Sequence, residues 1–157
     1  MIEIKETKKC DTRTDEKNFT KADVDRETDL HIKAVNLCGE FICDKISEQF
    51  ANHDFTKNSN AEYLDAFYKA LKTGFKGKEF KELDWWDVHL DKERHHLNDK
   101  VPKDVNLIDV LEMICDCVSA GLARTGEVYD VTLSGETLQK AFKNTVDMLI
   151  KNIKVVK

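Results

Sequence analysis

This sequence predicts an all-α fold. Its 157 residues include one proline, Pro102, and six glycines, so few positions interrupt helical backbone. Over most of the chain, apolar side chains recur every three or four residues, the interval at which one face of a helix repeats. The length suits one compact domain with a core of its own. The first 20 residues depart from this pattern. Charged and without a helical apolar period, they read as a polar N-terminal arm, which leaves residues 21–157 as a single helical domain.

Five helices follow in order. From about residue 23 to 50, Ala34, Val35, Cys38, Ile42, Ile46 and Phe50 form one apolar face, and His31 joins it by its spacing from Ala34, Val35 and Cys38. The second helix opens at "SNAE", where Ser59 and Glu62 have the spacing of a capping box. It carries Tyr63, Ala66, Phe67, Ala70 and Leu71 on one side, up to Gly74. A basic loop, "KTGFKGKEFK", leads into "ELDWWDVHLDKERHHLN", a third helix with less regular apolar spacing and many aromatic and imidazole groups. Pro102 ends that element, because proline disfavours helical backbone in the residue before it, and Asp104 can cap the next N-terminus. The fourth helix, "VNLIDVLEMICDCVSAGLAR", is the most apolar. The fifth, from about residue 134 to 153, places Leu138, Ala141, Phe142, Thr145, Leu149 and Ile150 on a core-facing stripe.

Composition narrows the function classes. Charged residues make up 35% of the chain and the net charge is -5, so no broad basic surface is available to neutralise a nucleic-acid duplex. No run approaches the 18 or so apolar residues of a membrane span, and "MIEIKETKKCDTRTDEKNFTK" lacks the apolar centre of a signal peptide. A soluble, cytoplasmic protein is expected. Cys10, Cys38, Cys43, Cys115 and Cys117 are odd in number and form no CxxC pair; they read as reduced, small core residues. Oligomeric state is left open.

Two groups of polar residues stand out. In the fourth helix Asp109 and Asp116 are seven residues apart, about 20° in direction, with Glu112 on the same side. Such a row is ordinarily a solvated face. Here Asp116 is bracketed by Ile114, Cys115, Cys117 and Val118 and followed by "SAGLA", small residues that let another helix approach. A carboxylate buried there requires a cation or strong donors. In the third helix His89 and His96, seven apart, share a face, with His95 about 60° to one side. They fit either an exposed polar helix or an inward-facing set of metal ligands.

Taken together, His31, the His53-Asp54 pair, His89, the His95-His96 doublet and Asp116 run in an order that resembles the HD superfamily of metal-dependent phosphohydrolases. The string "HDFTK" is similar to the "HD-x-x-K" turn of that superfamily, and residues 94–124 are similar to an HD-like family of bacteria and phages. The likeness spans about residues 28–124. The "GYP" of the cyclic-dinucleotide phosphodiesterase branch does not follow "HHLND", so that activity is not inferred.

The resemblance implies a helical bundle with the metal site between helices, and His31, His53, Asp54 and Asp116 as ligands of one divalent metal. His89, His95 and His96 would serve a second, with Asp54 between the two. A mixed nitrogen and oxygen set favours Mn, Fe, Co, Ni or Zn over Mg. Asp54 and Lys57 are the expected catalytic residues, with Lys57 and Arg94 facing substrate phosphate and Arg124 a weaker candidate. Trp85 or Trp86 could stack on a base, or belong to the core. The substrate class implied is a phosphorylated small molecule, most plausibly a nucleotide or deoxynucleotide. The alternatives are a non-catalytic HD-fold module that binds a nucleotide or protein, and a di-iron oxygenase on the same fold.

Overall fold

The computed structural model describes residues 1–7, 9, 10, 13, 17–58, 60–73 and 79–157. In order these form β1 (Ile2–Lys5), α1 (Lys21–Ala51), α2 (Phe55–Asn58), α3 (Ala61–Lys72), a 3-10 turn at Phe80–Glu82, α4 (Asp84–Lys92), α5 (Leu107–Thr125), α6 (Gly135–Asn152) and β2 (Ile153–Val156). The fold is all-α, with one two-stranded parallel sheet added. Two units divide the chain, residues 1–47 with 146–157 and residues 48–145.

In the first unit, β1 pairs with β2 in parallel register from Ile2 opposite Ile153 to Lys5 opposite Val156. The polar arm expected over residues 1–20 therefore begins with a strand. The alternation in "IEIK" turns Ile2 inward and leaves Glu3 exposed, the period-two pattern of a half-buried strand. Thr20 starts α1 as a reciprocal cap, its hydroxyl accepting from Asp23 N while Asp23 Oδ2 accepts from Thr20 N. On α1, Ala34, Cys38, Ile42, Ile46 and Phe50 are half-buried as expected, but Val35 is 55% exposed.

The second unit holds the larger core. Leu97, Val105, Met113 and Ala141 are buried together, with Leu107, Val110, Cys117, Val131 and Leu133 packed around them. Three helix boundaries differ from the sequence expectation. Asn60, not Ser59, caps α3 by accepting from Glu62 N; Ser59 and Gly74 lie outside the described residues, as does most of the basic loop. Asn106, not Asp104, caps α5, in a capping box completed by Asp109. The third predicted helix stops at Lys92, before the histidine doublet, because Glu93 takes extended backbone (φ -96°, ψ 115°).

Side-chain exposure corrects three further readings. On α6, Ala141, Thr145 and Leu149 are covered, whereas Leu138, Phe142 (61%) and Ile150 (64%) are exposed. The covered face is centred on Ala141, one step around the helix from the bulkier row that the hydrophobic pattern favours. All five cysteines are free thiols, and Cys43 and Cys115 are exposed instead of lining a core. The small residues of "SAGLA" admit a backbone segment, not a helix. A Cβ at Gly121 would lie 2.5 Å from Glu127 O and 2.6 Å from Tyr129 N, so the absence of a side chain lets residues 127–129 cross α5. The helix then ends at Gly126, whose left-handed φ of 79° favours glycine.

Candidate metal centre

The site is built where α1 ends. After Ala51 the chain turns through Asn52, His53 and Asp54 into α2. Asp54 adopts a left-handed φ of 55°, a conformation that costs a non-glycine residue about 1–3 kcal/mol unless its surroundings hold it. The turn presents the two adjacent side chains in one region and carries Lys57 onto the same side, its Nζ donating to Asp54 Oδ2 at 2.5 Å. Early termination of α4 has the same effect on the histidines. His89 comes from the last turns of α4, and the irregular segment after Glu93 returns His95 and His96 to it.

Asp54, His89, His95 and His96 each offer a ligand atom, all within 4.8 Å of one another, and His53, His95 and Glu112 form a second such group. Asp54 Oδ1 lies 3.7 Å from His89 Nε2 and 3.8 Å from His95 Nε2. His53 Nε2 is 3.6 Å from Asp54 Oδ2 and 3.7 Å from Asp116 Oδ1, and Asp116 Oδ2 is 3.9 Å from His95 Nε2. Among the described residues, Asp54 Oδ1 and both ring nitrogens of His95 are buried without a hydrogen-bond partner. Buried polar atoms ordinarily find partners, and the Asp54 oxygen and the lone-pair nitrogen of His95, converging from separate segments, are atoms a metal ion would satisfy.

Glu112 orients the imidazoles. Its Oε1 accepts from His53 Nδ1 at 2.9 Å and lies 3.3 Å from His95 Nδ1. The Nε2 atoms of both rings are left on the side of Asp54 and Asp116. Carboxylates commonly fix ligating histidines by this means. Gln49 holds Glu112 in turn, donating to it at 2.6 Å and to Asp109 at 2.9 Å.

The electrostatics separate His53 from the other imidazoles. Burial, then the neighbouring His96, Lys57 and His95, push the pKa of His89 down to about 2. Burial and His95 bring His96 to about 4. Both rings are neutral near pH 7, as ligation requires. His53 is the opposite case, raised to about 10 by the carboxylates of Asp116 and Glu112. Burial would raise Glu112, but hydrogen bonds from His53 and Gln49 and the nearby His95 ring outweigh it and bring Glu112 to about 2. The His53 partner also lowers Asp116.

Several expected site residues have other surroundings. His31 is in neither ligand group; it is exposed on α1 in the first unit, beside an open pocket lined by Thr7, Cys10, Arg13, Glu27 and Thr28. Arg94 lines an open pocket with Gln49, Asn52, Phe55 and Glu112, and its guanidinium is held by carboxylates. It forks onto Asp109, Nε to Oδ1 at 2.8 Å and Nη2 to Oδ2 at 2.9 Å, and reaches Asp104 at 3.1 Å. Trp85 is buried, stacked at 4.7 Å on His89 and packed on Phe67 and Phe80, so it supports the imidazole and cannot reach a base. Trp86, next to His96 at 5.1 Å and beneath Lys81, is the tryptophan at the margin. Arg124 is exposed in the last turn of α5.

A family described as being of unknown function, DUF5662, matches residues 20–154. The chain belongs to DUF5662. No curated protein and no solved structure matches it. The match runs from the start of α1 to β2, so this DUF5662 chain carries the whole histidine and carboxylate cluster inside the family region. No helix among the described residues is long and apolar enough to cross a membrane.

Proposed function

We propose that this chain is a metal-dependent phosphohydrolase of the HD type, acting on a phosphorylated small molecule. The observation that carries the reading is the convergence of Asp54, His89, His95 and His96 within 4.8 Å, with Lys57 against Asp54. A donor set of three imidazoles and a carboxylate fits a divalent transition metal, such as Mn, Fe, Co, Ni or Zn, better than Mg. His89, His95, His96 and Asp54 would hold one ion, and His53, which must first give up its proton, would hold a second together with Asp116. A metal bound there lowers the pKa of a coordinated water and stabilises charge on phosphate oxygens.

The protein's own groups do the rest. Lys57 is a quarter exposed beside Asp54 and supplies a fixed positive charge for the non-reacting phosphate oxygens. Trp85 and the buried faces of His89 and His95 keep water from the rear of the cluster. Trp86 borders it and offers a face for a nucleobase to stack on. The nucleotide class rests on the resemblance in "HDFTK" and the histidine order together with this aromatic margin.

The test is a phosphate-release screen of nucleotides and deoxynucleotides with added Mn, Co, Ni and Mg. Release that depends on transition metal and is lost in Asp54→Asn supports the reading. Bound iron with a visible absorption band and no phosphate release would instead favour oxidative chemistry, and purified protein that takes up no metal would favour a binding module.

A further inference from the structure

The hydrogen bonds behind His89 run in one direction. Thr56 is fully buried, and both its backbone N–H and its hydroxyl donate to Glu93 Oε1, at 2.9 and 2.6 Å. Glu93 is itself buried. A hydroxyl has one proton to give. With that proton committed to Glu93, the Thr56 oxygen acts as acceptor in its remaining contact, His89 Nδ1 at 2.6 Å. The proton of the neutral imidazole is therefore on Nδ1, and His89 Nε2 presents its lone pair toward Asp54 Oδ1 at 3.7 Å and His96 Nε2 at 2.6 Å. Trp85, stacked on the ring with an interplanar angle of 20°, opposes a ring flip.

We infer that Thr56 and Glu93 are positioning residues for His89, fixing the tautomer in which Nε2 is the atom offered to a metal. For the ion this rests on the metal-centre reading above; the tautomer stands on the hydrogen bonds alone. The pair also accounts for the helix break at Glu93. Its extended backbone allows the carboxylate to reach Thr56 across 37 residues of sequence, and the same break returns His95 and His96 to the cluster.

The experiment uses the full-length chain in two steps. After chelation, long-range proton–nitrogen correlation spectra of the histidine rings report which nitrogen of His89 is protonated. Titration with Mn²⁺ or Co²⁺ then reports affinity. Wild type is expected to show the Nδ1-protonated form. Thr56→Val removes the acceptor and Glu93→Ala frees the hydroxyl to donate to Nδ1, so both should move the proton to Nε2 and weaken metal binding by about 10- to 100-fold. Thr56→Ser and Glu93→Gln keep the hydroxyl and an accepting oxygen, and should restore both readouts. An Nε2-protonated wild type, or a folded Thr56→Val with unchanged tautomer and affinity, overturns the assignment. An Nδ1-protonated wild type that takes up neither ion upholds the tautomer and overturns the metal reading.

Discussion

Replacing Arg94 by alanine separates a structural role from a substrate-binding one. Asp109 is 0% exposed and has four donors: Arg94 Nε and Nη2, Gln49 Nε2 and Asn106 N. Arg94→Ala removes both charged donors and leaves a buried carboxylate with two neutral ones. Removing one partner of a buried ion pair costs about 3–5 kcal/mol. The Arg94 side chain is 34% exposed and two donors remain, which places the loss at the lower end, about 3 kcal/mol. The bond to Asp104, whose side chain is 79% exposed, adds less than about 1 kcal/mol. For a chain of this length each kcal/mol shifts the melting temperature by roughly 2–4 °C, so a drop of about 6–12 °C is expected. Thermal and denaturant unfolding followed by circular dichroism measure the two quantities, with exposed Arg124→Ala as a control that should stay within about 0.5 kcal/mol of wild type. An Arg94→Ala protein as stable as that control would refute the structural account and return Arg94 to the substrate side.

Other outcomes follow from the same geometry. Metal-free protein should be most stable near pH 6.5. His53, with its folded pKa raised to about 10, contributes stability that is lost as pH rises from 6.5 through 10. His89 and His96, with folded values near 2 and 4, make stability fall as pH drops below 6.5, and Glu112 adds a further loss below its ordinary 4.5. A melting profile that climbs steadily from pH 6.5 to 9 would contradict those charge states. Gly121→Ala should cost about 1–3 kcal/mol because its Cβ meets the backbone of residues 127–129. Gly39→Ala, with open space around it in α1, should be neutral or stabilising by up to about 1 kcal/mol; equal effects at the two sites would argue against the close crossing. Asp54→Asn, which tolerates the left-handed turn, should remove metal while leaving the melting temperature of metal-free protein within a few degrees.

Much of this was readable from the sequence, for identifiable reasons. Helical periodicity located α1, α3, α5 and α6 to within a few residues, and the spacing of Asp109, Glu112 and Asp116 put three acids on one side of α5. Which acid does what was not readable. Glu112 orients His53 and His95, whereas Asp109 holds Arg94, and only tertiary placement separates those roles. By sequence the histidine doublet falls on the third helix, because "ERHHLN" continues its polar pattern. The competing interaction is the bond from Thr56 to Glu93, 37 residues apart, which no local period records. The short strands have a signal in the alternation of "IEIK", outweighed by the charge of the arm around it, and in "IKVV", which follows directly on the helical pattern of α6. Trp85 and Trp86 are adjacent, and their burial depends on which face of α4 meets Phe67.

Elemental analysis of the protein purified without chelator shows whether Asp54 and the three converging imidazoles hold a metal. His95 lies in both ligand groups and is buried, so wild type should carry one or two transition-metal ions per chain and folded His95→Ala should carry none. Wild type free of metal, or a His95→Ala variant that retains the full complement, would contradict the account.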